Sequence, residues 1–146
     1  MNKTFESLLK RLRDLGLPKG CFAIFGSGPM GIRNIIDCND LDVIVTKEVY
    51  SDMRKTGDWE IKKNEFCDYL ERDGIEIYVS WHPSSWDICR LIQEAEMIDG
   101  LPFVKLLKVV EWKTIFDRDK DSVHLKLIND FLSKGKCQFC GYETDI

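Results

Sequence analysis

The sequence predicts an α/β domain, with a small mixed β-sheet, helices mainly on one face of it, and a pair of helices at the C-terminal end. Short apolar runs typical of buried strands alternate with amphipathic runs typical of helices. Turn-forming residues separate these runs at short intervals, and the sequence has no internal repeat, linker or low-complexity tract. We therefore treat the 146 residues as a single domain, 1–146, with a helix within about 1–20 and a tail at about 135–146.

Each element has its own signal in the sequence. Apolar residues at helical spacing between Phe5 and Leu15 predict a first helix, with Thr4 as its cap and Gly16 at its end. Runs of β-branched and aromatic residues predict strands, and capped amphipathic runs predict helices. In chain order we expect a strand at 21–25, a turn at 26–29, a short helix at 30–36, a strand at 42–46, a helix at 47–55, an edge strand at 59–63, a hairpin of 67–71 and 75–79 around Asp73-Gly74, a helix from 88, an extended segment at 101–104, and helices at 106–116 and 122–132.

Composition and charge argue against several classes of protein. Hydrophobic residues make up 44% of the chain and charged residues 32%, which is typical of a globular domain rather than of disorder. The net charge of −4 argues against the broad basic surface that duplex nucleic acid requires. No apolar run approaches the roughly 20 residues that span a bilayer, so we expect no membrane segment. Four cysteines without framework spacing predict reduced thiols in a cytoplasmic protein: Cys21, Cys38, Cys67 and Cys89.

A glycine-serine turn follows the first predicted strand, within residues 25–45 (FGSGPMGIRNIIDCNDLDVIV). Gly26 permits a sharp turn and lets a ligand approach the backbone closely. The hydroxyl of Ser27 and the free N–H groups of the following helix together form an anion site suited to phosphate oxygens. We therefore predict that Gly26 and Ser27 bind the phosphates of a nucleotide.

Two aspartates stand at the start of the second predicted strand. Asp40 and Asp42 are two residues apart in extended chain, so their carboxylates face the same way while Leu41 points into the core. Two like charges so close are unfavourable unless a cation joins them. Glu76, inside an apolar strand, is the expected third carboxylate. Hard oxygen ligands of this kind suit Mg²⁺ or Mn²⁺, so we predict a metal site of Asp40, Asp42 and Glu76.

This pattern resembles the DNA polymerase β-like nucleotidyltransferase superfamily, whose small members carry Gly-Ser, a spacer and then Asp-x-Asp. Here Gly26-Ser27 is followed by twelve residues and then by Asp40-Leu41-Asp42. Arg33 lies in the spacer, where such proteins often carry a basic residue. Residues 113–121 (KTIFDRDKD) are similar to the Arg-x-Lys-Asp signature before the last helix. The resemblance covers about 21–132, and it departs from the pattern at Glu76, where many members have Asp.

The resemblance implies the nucleotidyltransferase fold and metal-dependent transfer of a nucleoside monophosphate, most simply AMP from ATP. Asp40 and Asp42 would bind the metal that joins the β- and γ-phosphates. Glu76, with them, would hold a second metal that activates the acceptor hydroxyl. Arg33 or Lys113 would bind the nucleotide by neutralising charge on the leaving pyrophosphate. The acceptor would be a protein or a small molecule, and the short chain favours a partner subunit, a homo-oligomer or a protein acceptor.

Two other functions are compatible with the same residues. The first is a non-catalytic module of the same fold, with a binding or regulatory, antitoxin-like role. The second is dinucleotide binding, because residues 26–31 also satisfy the fingerprint G-x-G-x-x-G. That fingerprint needs an acid at the far end of the second strand, whereas Asp40 and Asp42 lie at its start. Pro29 also lacks the N–H that a phosphate would need.

Purely structural roles remain open for these residues as well. The paired aspartates can form a solvated loop with a cap, and Glu76 can be an exposed hairpin residue. Arg33 can pair with Asp37 or Asp40. Cys137 and Cys140 supply half of a zinc site, a redox pair or a chance pair. The basic residues Lys113, Arg118 and Lys120 can form a solvated helix face and turn. The four tryptophans can be core residues or groove walls: Trp59, Trp81, Trp86 and Trp112.

Overall fold

The computed structural model describes residues 1–135, and the expectations for the tail and for Cys137 and Cys140 lie outside these residues. In chain order the elements are α1 (Lys3–Leu15), β1 (Phe22–Phe25), α2 (Gly28–Gly31), β2 (Leu41–Val45), α3 (Lys47–Lys55), β3 (Glu60–Lys63), β4 (Asp68–Arg72), β5 (Ile75–Tyr78), α4 (Ile88–Gln93), β6 (Glu96–Ile98), β7 (Leu101–Phe103), α5 (Leu106–Phe116) and α6 (Asp119–Gly135). None of the helices in 1–135 is long and apolar enough to cross a membrane.

The seven strands form one mixed sheet in the order β3-β4-β5-β2-β1-β7-β6. At its centre, β2 pairs antiparallel with β1 and parallel with β5. Two antiparallel hairpins, β4 with β5 and β6 with β7, extend the sheet on either side. The predicted α/β class, the mixed sheet and the C-terminal helix pair are therefore confirmed.

Alternating side chains on the central strands divide the core between the two faces of the sheet. Leu41 and Val43 of β2 pack with α1 and α3 on one face. Phe25 and Ile44 pack with α4, α5 and α6 on the other face, which carries the larger share of the helices in residues 1–135. Full burial of a side chain such as Leu41 contributes roughly 1.5–3 kcal/mol to stability. Asp42 lies between Leu41 and Val43, so it projects onto the second face.

Three local features differ from the sequence-based expectations. The helix expected at 30–36 is the single turn Gly28–Gly31, because Asn34 adopts a left-handed φ of 59° that a helix cannot continue through. The N-cap of α1 is Asn2 rather than Thr4. The strand β6 was not expected, although Asp99-Gly100, both at positive φ, is the tight hairpin turn that joins it to β7.

Candidate functional site

The central strands bring two of the predicted carboxylates into register. Asp42 of β2 pairs with Glu76 of β5, so the two side chains lie side by side on the same face of the sheet. Both residues are half-buried. Asp40 is exposed in the segment that leads into β2, and its charge acts on Asp42. The three carboxylates therefore form one acidic cluster.

Asp42 is the electrostatic centre of this cluster. Burial raises the pKa of Asp42 well above its usual range, and the charges of Glu76 and Asp40 together with a hydrogen bond to Glu76 raise it further. Metal-free Asp42 is therefore predisposed to hold a proton in its hydrogen bond with Glu76. Within residues 1–135, no three His, Cys, Asp or Glu side chains form a ligand set for a metal ion. The metal site of Asp40, Asp42 and Glu76 thus stays a prediction.

Gly26 lets the backbone pass directly against the Asp42 carboxylate. Its φ is +59°, a conformation that side chains rarely adopt. A Cβ at this position would collide with Oδ2 of Asp42 and lie 3.0 Å from its Cγ. Glycine is therefore required here both for the backbone conformation and for the space that the carboxylate occupies.

Ser27 joins this turn to the loop that carries Asp40. Its carbonyl oxygen accepts hydrogen bonds from the N–H of Gly31 (2.9 Å) and from the thiol of Cys38 (3.3 Å). Burial raises the pKa of Cys38 to about 12, so the thiol stays protonated as a donor. The Ser27 side chain makes no capping hydrogen bond within the described chain, which leaves its hydroxyl available. Because α2 is one turn long, it offers much less of a helix N-terminus than expected.

A cleft of about 320 Å³ opens beside the acidic cluster. Ser27, Asp40 and Asp42 line one part of it. Basic residues from α5, α6 and their connection line another part: Lys113, Arg118, Lys120 and His124. Aromatic side chains form much of the remaining wall: Phe66, Tyr78, Trp81, Trp112 and Phe116. Acidic, basic and aromatic groups thus meet in one small space.

Lys113 lies in the cleft wall as part of a buried ionic network. Its Nζ is 3.2 Å from Oδ1 of Asp121 and 3.0 Å from Nδ1 of His124. Burial lowers the pKa of Lys113, although the charge of Asp121 opposes this shift. Burial alone would raise the pKa of Asp121, but hydrogen bonds from Arg118 and the Lys113 charge hold it at about 2. The charge that was predicted to face a nucleotide is therefore largely balanced inside the protein.

Lys120 is an exposed cation in the same cleft, and the sequence analysis did not select it as a site residue. Its charge lowers the pKa of Asp42, in opposition to burial and the neighbouring carboxylates, and Asp42 lines the same cleft. The sequence signal that could have found it is the charged run 117–121 (DRDKD), where α6 begins. The last helix starts at Asp119, so Lys120 lies in its first turn.

Arg33 is not among the described residues that line the cleft. Its guanidinium forms an ion pair with Glu96 of β6, and its Nη1 donates to the carbonyl of Pro29 at 2.8 Å. Neither Asp37 nor Asp40 is its partner. Arg33 therefore braces the spacer against the sheet edge, and the structure does not bring it to the predicted site.

Glu76 is held from two sides. The hydroxyl of Tyr78 donates to its Oε1 at 2.5 Å, and Asp42 forms the second hydrogen bond. Burial raises the pKa of Tyr78, which keeps this hydroxyl protonated as a donor. Among the described residues, Asp40 and Asp42 line the cleft whereas Glu76 does not.

Comparison of the chain with protein-family models, curated proteins and solved structures found no match, so the family assignment stays a prediction from the motifs.

Proposed function

We propose that this chain is a nucleotidyltransferase domain that transfers a nucleoside monophosphate, most simply AMP from ATP, to an acceptor hydroxyl in the cytoplasm. The observation that supports this proposal is the meeting of opposite charges in one cleft. Asp40, Asp42, Arg118 and Lys120 all line it. A nucleoside triphosphate with its divalent cation needs both kinds of group, because the cation requires carboxylates and the phosphates require positive charge.

The donor set fits a hard divalent cation. Burial together with the neighbouring carboxylates raises the pKa of Asp42, and a cation would relieve the same repulsion that a proton relieves. Asp40 and Asp42 would hold the ion, and when bound it would supply neutralisation of phosphate charge and alignment of the reacting groups.

The residues of the chain would act around that cation. Ser27 would donate its hydroxyl to a phosphate oxygen, and Gly26 would keep the backbone close to the ligand. Lys120 and Arg118, rather than Arg33, would neutralise the charge that develops on pyrophosphate. In the transfer, the acceptor oxygen forms a bond to the α-phosphorus and the bond from the α-phosphorus to the bridging oxygen breaks. Pyrophosphate then leaves, and Glu76, the predicted third carboxylate, would take up the acceptor proton.

A second candidate is a nucleotide-binding module that carries out no transfer. The observation that favours it concerns Glu76, which is occupied by the Tyr78 hydroxyl and by Asp42 and is not among the described residues that line the cleft. A carboxylate held in this way supports Asp42 without reaching an acceptor.

Labelled ATP separates the two candidates. The protein is incubated with Mg²⁺ and ATP labelled in the α-phosphate, and the label is sought on the protein, on added cell extract and on small molecules. ATP labelled in the γ-phosphate is the control, because transfer of AMP releases that label as pyrophosphate. Binding without transfer of α-label would favour the binding module, and absence of binding would contradict both candidates.

The variant Glu76→Gln refines this test. In a transferase we expect Mg²⁺-ATP affinity within about threefold of wild type while transfer falls by about 10² or more, the scale of one catalytic acid–base group. In a binding module neither quantity changes. Unfolding of Glu76→Gln would mean that Glu76 only supports the sheet, and its catalytic assignment would be withdrawn.

A further inference from the structure

His124 lies on α6 and lines the cleft, but the proposed function gives it no role. Its ring nitrogen Nδ1 lies 3.0 Å from Nζ of Lys113. The other ring nitrogen, Nε2, makes no hydrogen bond within residues 1–135. It is not enclosed either, because Nε1 of Trp81 is the one buried side-chain nitrogen or oxygen in the described chain that has no hydrogen-bond partner. Nε2 is therefore open to solvent on a side chain that lines the cleft.

Lys113 is held as an ammonium by Asp121. Nζ of Lys113 is 3.2 Å from Oδ1 of Asp121, and the two side chains are 1% and 0% exposed. Burial alone would raise the pKa of Asp121, but hydrogen bonds from Arg118 and the Lys113 charge hold it at about 2, so the carboxylate is ionised at neutral pH. Burial lowers the pKa of Lys113, but loss of its proton would deprive this buried carboxylate of its closest ammonium. Breaking a buried ion pair in this way is strongly unfavourable, so Lys113 keeps its charge.

The ammonium of Lys113 fixes the tautomer of His124. An ammonium donates hydrogen bonds and accepts none, so at 3.0 Å it must donate to a lone pair on Nδ1. Burial together with the charge of Lys113 lowers the pKa of His124, so at neutral pH the ring is neutral and carries one proton. Since Nδ1 holds the lone pair, that proton lies on Nε2. His124 therefore offers the cleft a neutral N–H donor, and it is not a base there.

The neighbours of this donor in the cleft wall are cations. The charges of Lys120 and Arg118 act on His124, and both residues line the cleft. Asp121 accepts hydrogen bonds from Nε and Nη2 of Arg118 at 2.7 and 2.9 Å, and the guanidinium lies over the ring of Phe116, 3.8 Å from its centroid. Nη1 of Arg118 makes no hydrogen bond within the described chain. This part of the wall therefore presents N–H donors, which suit an anionic oxygen.

We propose that His124 donates a hydrogen bond from Nε2 to a phosphate oxygen of the bound triphosphate, and that Lys113 is the positioning residue that fixes this donor. The inference rests on the proposed function for the identity of the ligand. His124 keeps its proton throughout, and its hydrogen bond strengthens as negative charge develops on the leaving pyrophosphate. Lys113, which the motif predicted to bind the nucleotide, then acts through His124 without touching the ligand.

NMR of the ring nitrogens in the ligand-free protein tests the tautomer independently of any nucleotide. At neutral pH we expect the His124 signals of a protonated Nε2 and an unprotonated Nδ1. The sequence contains one other histidine, His82, so the variant His82→Gln assigns the two rings. Lys113→Met removes the ammonium and should give a mixture of both tautomers. A proton on Nδ1 in the wild-type protein would overturn the inference, whatever the binding results.

Calorimetric titration with Mg²⁺-ATP and with Mg²⁺-tripolyphosphate tests the contact to phosphate. His124→Phe keeps a ring but removes the donor, and should weaken the binding of both probes about tenfold or more. His124→Gln keeps an N–H close to the position of Nε2 and should stay within about threefold of wild type. The matched control is Val123→Phe, because Val123 is 59% exposed on α6 and is not among the described cleft residues.

The outcomes separate this inference from the proposed function. If His124→Phe leaves the binding of both probes unchanged, or weakens that of ATP alone, the phosphate contact is overturned and the proposed function stands. If the wild-type protein binds neither probe, both proposals are overturned. If His124→Phe does not fold, the wild-type protein decides. Its Nε2 signal should then move when Mg²⁺-tripolyphosphate is added, and a signal that stays in place would overturn the contact.

Discussion

Replacing Gly26 with alanine should damage the acidic cluster in a way that a backbone effect alone cannot. The chain offers a matched control in Gly16, which has a φ of +63° against +59° at Gly26. A Cβ at Gly16 meets nothing within 4 Å, whereas a Cβ at Gly26 collides with Oδ2 of Asp42. The comparison of Gly26→Ala with Gly16→Ala therefore isolates the contact with the carboxylate.

The expected magnitudes follow from these two geometries. A left-handed conformation costs an alanine about 1–2 kcal/mol, so Gly16→Ala should lower the melting temperature by roughly 3–6 °C for a domain of this size. Gly26→Ala carries the same cost and in addition forces the Asp42 side chain aside. A catalytic group displaced by about 1 Å can lose about 10²-fold in rate, and we expect Mg²⁺-ATP affinity to fall at least about tenfold.

The assays are thermal unfolding followed by circular dichroism, and calorimetric titration with Mg²⁺-ATP. Gly16→Ala should lose stability and keep wild-type affinity, while Gly26→Ala should lose both. The reasoning would be refuted if both variants lost the same stability and Gly26→Ala kept wild-type affinity for Mg²⁺-ATP. The position of the Asp42 carboxylate would then not depend on the absence of a Cβ at Gly26.

Three further predictions concern the charged groups of the cleft. Burial raises the pKa of Asp42 in the folded protein, so the stability of the metal-free protein should fall as pH rises from about 3.9 through the folded pKa. Asp42→Asn should remove this dependence of stability on pH and raise stability at neutral pH, which melting curves across pH measure. The same variant should abolish Mg²⁺-ATP binding, which calorimetric titration measures. Asp121, with a pKa held at about 2, contributes stability that is present above about 3.9 and is lost as pH falls towards 2. Asp121→Asn should lower the free energy of unfolding by about 3–5 kcal/mol at neutral pH, because it removes the carboxylate that balances the buried Lys113 amine. Urea unfolding measures this change, and a loss below about 1 kcal/mol would contradict the network. Arg33→Ala should leave Mg²⁺-ATP affinity within about twofold, whereas Lys120→Ala should weaken it about tenfold, and the reverse order in titrations would restore the original role of Arg33.

Most of the helices and strands could be predicted from the sequence, because the patterns that favour them extend over only a few neighbouring residues. The helix predicted at 47–55 is Lys47–Lys55, and the hairpin around Asp73-Gly74 joins β4 and β5. Side-chain periodicity and turn chemistry suffice for such elements. The short helix after Gly26-Ser27 was overestimated, because Asn34 adopts a positive φ that stops it. Asparagine tolerates this conformation better than most residues, but the residue type alone does not require it.

The sequence by itself also determined that Asp40 and Asp42 share one side of an extended segment, since alternation along a strand is a local property. Only the tertiary structure decided which groups surround them. The register between β2 and β5 places Glu76 beside Asp42. The pairing of β6 with β7 places Glu96 where it forms an ion pair with Arg33, and this ion pair holds Arg33 outside the cleft. The aromatic side chains of the cleft and Lys120 come from segments distant along the chain. Their positions depend on how the helices pack on the sheet, and such distances are set by contacts between remote residues, which a local pattern does not encode.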